Sequence, residues 1–522
     1  MPRVQRQVML PSYASLRSSN NAIGDGLSLP NPPATVAVKD NIVTTGSTTT
    51  CASGFLKDYV SPFEALVVRQ LRKNDYGVAE KTNMDEFGMG SHSTHSYFGP
   101  VSNRAPLTHR SAGGSSGGSA VAVAMGAQNF ALGTDTGGSV RLPAAYNGVV
   151  GFKPSYGKIS RWGVIPYANS LDTVGIFALR CSKSLRRCLA KLSGHDPRDP
   201  TSLTNSCRSR LQITKLSNGR RQKETKQIRI GVPIEYNIQE LQPIIRDAWS
   251  RVLEQLQKMG HIIVPVSLPS TKHALSAYYV LAAAEAASNL AKYDGVRYGT
   301  SSNENDDAGT VLYDSVRGNG FGDEVKRRIL LGSYTLSSEA IDNYFIQAQK
   351  VRRIVQRDFD WIFATPNPLR LPEQFDLSDL DEGIQLEDKL GPAQVDVLVC
   401  PTAPTLPPPL EEISNQAPVD SYMNDVFTVP ASLAGLPAVS VPVDIARSRD
   451  NVSFAGIQVI GQYWDDYLVL RVGGLIQTSA QSRKSVGTPR IRKISKEMPI
   501  VRRMPTGGKS AISHHSLRIW LS

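Results

Sequence analysis

Two glycine- and serine-rich stretches have the composition of a reactive site: Gly113-Gly-Ser-Ser-Gly-Gly-Ser and Gly133-Thr-Asp-Thr-Gly-Gly-Ser-Val-Arg. Between them lies a run of small apolar residues, Ala120 to Leu132, rich in Ala, Val, Met and Gly. Glycine permits backbone dihedrals that a β-carbon forbids, so each stretch can turn tightly and present a serine hydroxyl beside bare backbone N–H groups. A nucleophile next to donors aimed at a developing oxyanion is what acyl transfer requires. A flexible linker has a similar composition. It would not enclose a small-residue core segment and then run on into Pro143-Ala-Ala-Tyr-Asn-Gly-Val-Val-Gly-Phe-Lys-Pro.

A serine nucleophile needs a base. None of the eight histidines lies in a motif that would bring it to these turns or in a metal-ligand spacing such as H-E-x-x-H. Thr35-Val-Ala-Val-Lys-Asp-Asn-Ile reads as a short buried strand that ends on Lys39 and Asp40. In isolation a strand-end lysine reaches solvent along its stem. Beside a serine pair, a desolvated lysine becomes a base, because burial lowers its pKa from about 10.4 toward neutrality.

The two turns, their spacing and the following Gly151-Phe-Lys-Pro-Ser-Tyr-Gly-Lys-Ile-Ser-Arg resemble the amidase signature family. Met84-Asp-Glu-Phe-Gly-Met-Gly-Ser and Ser160-Arg-Trp-Gly-Val-Ile-Pro-Tyr-Ala-Asn-Ser-Leu-Asp place it nearest the branch that hydrolyses glutamine for a tRNA-dependent amidotransferase. The resemblance runs from about Pro33 to Gln477. It implies a Ser–cis-Ser–Lys triad: Ser139 as nucleophile, Ser115 as the bridging serine after a cis peptide, and neutral Lys39 as base. It implies an oxyanion hole from the N–H groups of Thr136, Gly137, Gly138 and Ser139. Glutamine would be held by Tyr278, Arg328 and Asp425, the guanidinium on the α-carboxylate and the carboxylate on the α-ammonium. Without the resemblance, Arg328 reads as one half of a surface ion pair and Asp425 as a helix N-cap. Ser116 and Ser119 read as turn hydrogen-bonders.

The same resemblance implies a complex. The B subunit of the amidotransferase would carry ATP and Mg and bind Glu-tRNA(Gln), with a small third subunit beside it. This chain needs no metal or cofactor of its own, and it has no Walker-type phosphate loop. The alternative is a stand-alone amidase for small or fatty amides. Arg328 with Asp425 argues against it, since an apolar amide would leave both charges unpaired. A degenerate scaffold subunit is disfavoured by the intact triad positions.

These residues must be positioned by a fold. Helical spacing over Phe63 to Lys73 and a strand-to-loop run at Glu80-Lys-Thr-Asn-Met-Asp-Glu-Phe precede the signature core, 112–174. The family usually has glycine where Glu80 stands. Ile228 to Pro233 reads as a strand, Ile245, Trp249, Val252, Leu253 and Leu256 as one helix face, and His261 to Val266 as a strand. An alanine-rich helix from Ser276 and helices through Phe321 to Gly332 and Gln349 to Arg353 follow. Strands at Val395 to Cys400, Leu436 to Val443 and Ile457 to Gly461 and a helix to Ile476 end the fold. The alternation predicts one large α/β domain over 33–478, with the amidase-signature fold: a mixed, largely parallel central sheet flanked by helices on both faces. A basic insertion at 199–229 and an acidic one at 369–394 read as exposed loops; RNA contact is the alternative for the basic one.

Charge and cysteine usage bound the remaining classes. Of the net +12, most lies beyond Ser479, where ten Lys/Arg face the single acid Glu497. The body is nearly balanced and carries no nucleic-acid footprint. That tail, 479–522, reads as disordered. Residues 1–32, with Arg3, Arg6, Arg17 and no acid before Asp25, have the composition of a mitochondrial presequence and point to the matrix. The helical segment with which family members usually begin is short or missing here. The five cysteines, without a C-x-x-C pair, fit a reducing compartment rather than zinc or a disulfide framework. No apolar run is long enough for a membrane span.

Overall fold

The computed structural model describes residues 34–103, 109–213, 227–301, 314–370, 394–445 and 452–481. The expectations for 1–32, for the tail beyond 481, for most of the acidic insertion and for 214–226 of the basic one lie outside them. The strands are β1 (Thr35–Lys39), β2 (Gly77–Thr82), β3 (Phe130–Asp135), β4 (Val150–Lys153) and β5 (Thr173–Ala178), then β6 (Arg229–Pro233), β7 (Ile262–Val266), β8 (Val397–Pro401), β9 (Ala438–Asp444) and β10 (Phe454–Gly461). They form one sheet in the order β2-β1-β3-β5-β4-β9-β10-β8-β6-β7.

The sheet is mixed, but it is not largely parallel. Pairs at its two ends are parallel: β2 with β1, β1 with β3, β8 with β6, and β6 with β7. The whole middle, from β3 to β8, is antiparallel. The alternation of strand and helix patterns suggested crossovers throughout. The connection from β4 to β5 contains no helix, however, and β9 and β10 pair as neighbours along the chain, so these strands return antiparallel.

The longer helices are α1 (Leu66–Lys73), α2 (Gly117–Ala124), α3 (Arg141–Asn147), α4 (Lys183–Leu192), α5 (Pro243–Lys258), α6 (Ala274–Leu290), α7 (Asp323–Thr335), α8 (Gln347–Ile362) and α9 (Asp466–Gln481). In α5, Ile245, Trp249, Val252, Leu253 and Leu256 are buried as their spacing predicts, and the Trp249 indole donates to the Val399 carbonyl at 3.0 Å. Pro243 opens this helix and Gly260, with φ of +89°, follows its end. Helices cover both faces of the sheet. Gly473 of α9 lies against Val439 and Val441, while Ala145 of α3 lies over Gly456 beside Ser440. Alternate residues of β9 point to opposite faces, so α3 and α9 sandwich it.

The small-residue run has a packing reason. All eight residues of α2 are buried, and a β-carbon on Gly118 would press into the Asn83 backbone. Parallel pairing of β1 with β3 (Val36 with Phe130, Val38 with Leu132) brings the carboxyl ends of both strands, Lys39 and Asp135, to the same edge. Ligands of α/β sheets gather at such an edge. Part of the basic insertion is built into the fold: 205–213 is helical, Leu211 is buried, and Arg208 donates to the carbonyls of Leu203, Gly157 and Lys158.

Candidate active site

Lys39 is fully buried. Its Nζ lies 2.7 Å from Ser115 Oγ, 2.9 Å from Thr134 Oγ1 and 3.4 Å from the Thr134 carbonyl. Desolvation brings its pKa down to about 7, although Asp85, Asp135 and Asp172 pull it upward. The side chain therefore does not snorkel to solvent; it ends on a serine. Asp40, the next residue, turns away and pairs with buried Lys81 at 3.2 Å.

Ser115 follows a cis peptide from Gly114. Asp85 secures this loop. Its N–H donates to the Ser115 carbonyl at 3.2 Å, and its carboxylate accepts from the N–H groups of Ser93 and His95 at 2.9 and 3.0 Å. A β-carbon at Gly114 would collide with the Gly90 carbonyl and the His92 nitrogen, so only glycine fits there. Ser116 and Ser119 bond to the neighbouring strand rather than within their own turn: they donate to the Thr134 and Leu132 carbonyls of β3.

Ser139 sits on the turn after β3, 8% exposed, and its carbonyl accepts from the Ser116 N–H at 3.3 Å, which ties the two turns together. Asp135 and Arg141 clamp this turn from both ends. Arg141 Nη2 lies 2.8 Å from Asp135 Oδ1 and 3.3 Å from the Gly137 carbonyl, and both side chains are wholly buried. In a trans peptide the N–H and C=O point oppositely. Drawing the Gly137 carbonyl to Arg141 therefore aims the Gly138 N–H the other way. The backbone N–H groups of Thr136, Gly137, Gly138 and Ser139 have no acceptor among the described residues. The Thr136 hydroxyl is fixed separately by Asp172 at 2.7 Å.

Tyr278 and Asp425 both lie against this turn. A β-carbon on Gly137 would meet the Tyr278 hydroxyl at 2.7 Å, and one on Gly138 would meet Asp425 Oδ1 at 2.8 Å. Asp425 accepts from Ser91 Oγ at 2.8 Å and Tyr279 OH at 3.4 Å and does not cap a helix with its side chain. Burial raises its pKa to about 6, with Ser91 and Arg328 opposing the rise. Arg328 is 4% exposed, so it is no surface ion pair. Its Nε donates to Glu324 at 2.8 Å and its Nη1 to the Tyr167 hydroxyl at 2.7 Å. The rings of Tyr279 and Tyr422 pack against the guanidinium at 5.2 and 5.4 Å.

This pairing corrects one premise. Arg328 is not left without a counter-charge when no carboxylate is bound, because Glu324 supplies one. Neither contact of Arg328 uses Nη2, which has no hydrogen-bond partner among the described residues. The residues that sequence reasoning missed are these neighbours: Glu324, Tyr167, Tyr279, Tyr422 and Ser91. Only Glu324 left a readable trace, the four-residue spacing to Arg328. His92 is buried and bonds Ser111 and Asn424, not a serine at which the two turns meet.

A cavity of about 280 Å³ bounded by Ser91, His92, Glu324, Arg328 and Tyr422 adjoins this cluster. A larger one, about 590 Å³, opens beside Ala34, Phe130 and Ala178, at the opposite end of β1 and β3 from Lys39 and Asp135. Volume does not identify the reactive centre here; the convergence of Lys39, Ser115 and the open N–H groups does.

A strand-end amine beside two serine turns at the edge of such a sheet is suited to amide hydrolysis. The chain belongs to the amidase family, whose match spans residues 34–470. Its relatives narrow the class. It is 60% identical to the A subunit of the mitochondrial glutamyl-tRNA(Gln) amidotransferase of Podospora anserina, over 85% of this chain and 89% of that one. The corresponding protein of Fusarium vanettenii is 58% identical over 88% and 90%. Among solved structures, the A subunit of the Thermotoga maritima glutamyl-tRNA(Gln) amidotransferase superposes with a TM-score of 0.64 at 32% identity, covering 88% of this chain and 86% of that one.

Proposed function

We propose that this chain is the glutamine-hydrolysing subunit of a glutamyl-tRNA(Gln) amidotransferase. The observation that carries the hydrolytic part is the buried Lys39 amine, 2.7 Å from Ser115 Oγ at the edge where the Ser139 turn lies. Neutral Lys39 takes the Ser115 hydroxyl proton while Ser115 takes that of Ser139. Ser139 Oγ attacks the side-chain amide carbon of glutamine. The oxyanion forms opposite the open N–H groups of Thr136, Gly137, Gly138 and Ser139. Collapse returns a proton through Ser115 to the departing nitrogen, releasing ammonia and leaving a glutamyl ester on Ser139. Water, deprotonated through the same pair, then frees glutamate. In this reading Arg328 binds the substrate carboxylate, Asp425 its ammonium, and Tyr278 packs over the oxyanion turn.

The relatives named above are A subunits of mitochondrial amidotransferases, which supports a complex of several subunits in the mitochondrion. We place that complex in the matrix, with a B subunit that uses ATP and Mg to activate Glu-tRNA(Gln) and a small third subunit beside it. The amidase domain would extend over 33–478. Glutamate release by the chain, with and without the co-expressed B subunit and glutamyl-tRNA(Gln), tests it. Stimulation by the partner and loss in Ser139→Ala is expected. Hydrolysis of simple amides with indifference to glutamine would instead establish the stand-alone amidase.

A further inference from the structure

Lys39 has more neighbours than its reaction needs. A neutral primary amine has two N–H donors and one lone pair, arranged tetrahedrally with the stem, and the lone pair alone makes it a base. On a freely rotating stem these three directions interchange. Around Lys39 Nζ the neighbours are Ser115 Oγ at 2.7 Å, Thr134 Oγ1 at 2.9 Å and the Thr134 carbonyl at 3.4 Å. The Thr134 carbonyl belongs to β3, locked between β1 and β5, so it cannot follow the amine if it turns.

We infer that Thr134, with Asn41 behind it, is a positioning residue that takes both N–H groups of Lys39 and so turns its lone pair onto the Ser115 hydroxyl. Asn41 Nδ2 donates to the same Thr134 Oγ1 at 3.1 Å. An amide N–H can only donate, so Asn41 holds the hydroxyl oxygen in the rotamer that faces Lys39. The inference rests on the assignment of Lys39 as base. The charged and titratable groups facing the amine are Asp85 after β2, Asp135 at the end of β3, Asp172 before β5 and the Cys51 thiol. None of them is altered by substitution at Thr134.

The test is the pH dependence of kcat for glutamine hydrolysis by the full chain with its partner subunits. Thr134→Val keeps the β-branch and the carbonyl and removes the hydroxyl acceptor. A misdirected base is expected to lower kcat about 100-fold. An acceptor bonds an ammonium more strongly than an amine, so its loss also moves the rising limb of the profile to lower pH. Thr134→Ser is expected to restore both. Thr134→Ala, which adds no atom to the core, repeats the measurement should the valine variant fail to fold, with circular dichroism melting as the check. A wild-type kcat and limb in a folded Thr134 variant overturns the inference. So does a lowered kcat with an unmoved limb, since that is a packing effect. Full hydrolysis by Lys39→Ala would remove the base assignment itself, an outcome separable from the others.

Discussion

At the scale of single residues, two groups of the site titrate in the working range, and the proposed reading gives them different steps. Lys39 is held near 7 by burial, and the proposed reading makes its neutral form the base. Hydrolysis should therefore switch on as pH rises, with kcat falling about tenfold per unit below that value. Asp425, raised to about 6 by burial, would bind the ammonium of the proposed substrate only when ionised. KM for glutamine should rise as pH falls below about 6 while it stays flat between 7 and 8. Initial-rate kinetics across pH 5 to 9 separate the two; a KM that stays flat through pH 5 would remove Asp425 from ammonium binding. Arg328→Ala should raise KM by roughly 10- to 100-fold, the worth of a charged hydrogen bond, and isothermal titration of glutamine into a Ser139→Ala background measures it. The serine turns and the strand-end lysine were legible because each is written within a dozen residues. Tyr167, Tyr279 and Ser91 were not, since their roles come from meeting Arg328 and Asp425 across the fold.

At the scale of elements, the small-residue helix α2 shows how context overturns propensity. Replacing a helical glycine by alanine ordinarily favours the helix by about 1 kcal/mol. At Gly118 the added carbon would drive into the Asn83 backbone, against its carbonyl oxygen. Overpacking of this kind costs about 1–3 kcal/mol, so Gly118→Ala should destabilise. The midpoint of urea unfolding is expected to fall, and a rise would show that α2 can lift from β2. Helix faces such as that of α5 were readable from period alone. Strand direction was not: a strand pattern reads the same for parallel and antiparallel pairing, and the connections decided it, helix-free from β4 to β5 and direct from β9 to β10.

At the scale of the whole molecule, Arg141 joins parts far apart in sequence. It bonds Asp135 of β3, the Thr428 carbonyl at 2.8 Å, Gln458 of β10 at 2.7 Å and Ser432 at 2.8 Å. Burial pushes the Asp135 carboxyl upward, but the Arg141 charge and hydrogen bonds outweigh it and hold the group below the usual carboxylate range. Its contribution to stability is thus present at neutral pH and lost only as pH falls through that lowered value. Arg141→Met strands a buried carboxylate and should cost about 3–5 kcal/mol. Thermal melting checks this, and an unchanged Tm would mean that Asp135 finds another partner.

The sequence by itself determined the chemistry: glycines that open backbone N–H groups, serines placed among them, and a lysine at the end of an apolar strand. These depend on local dihedrals and on spacing within one segment, which the chain carries openly. Tertiary structure alone decided that Lys39 would be dry enough to lose its proton, that Thr134 would stand beside it, and that Arg328 would arrive already held by Tyr167. Desolvation and hydrogen-bond partnership are properties of what surrounds a group, and those surroundings come from strands and helices scores to hundreds of residues away.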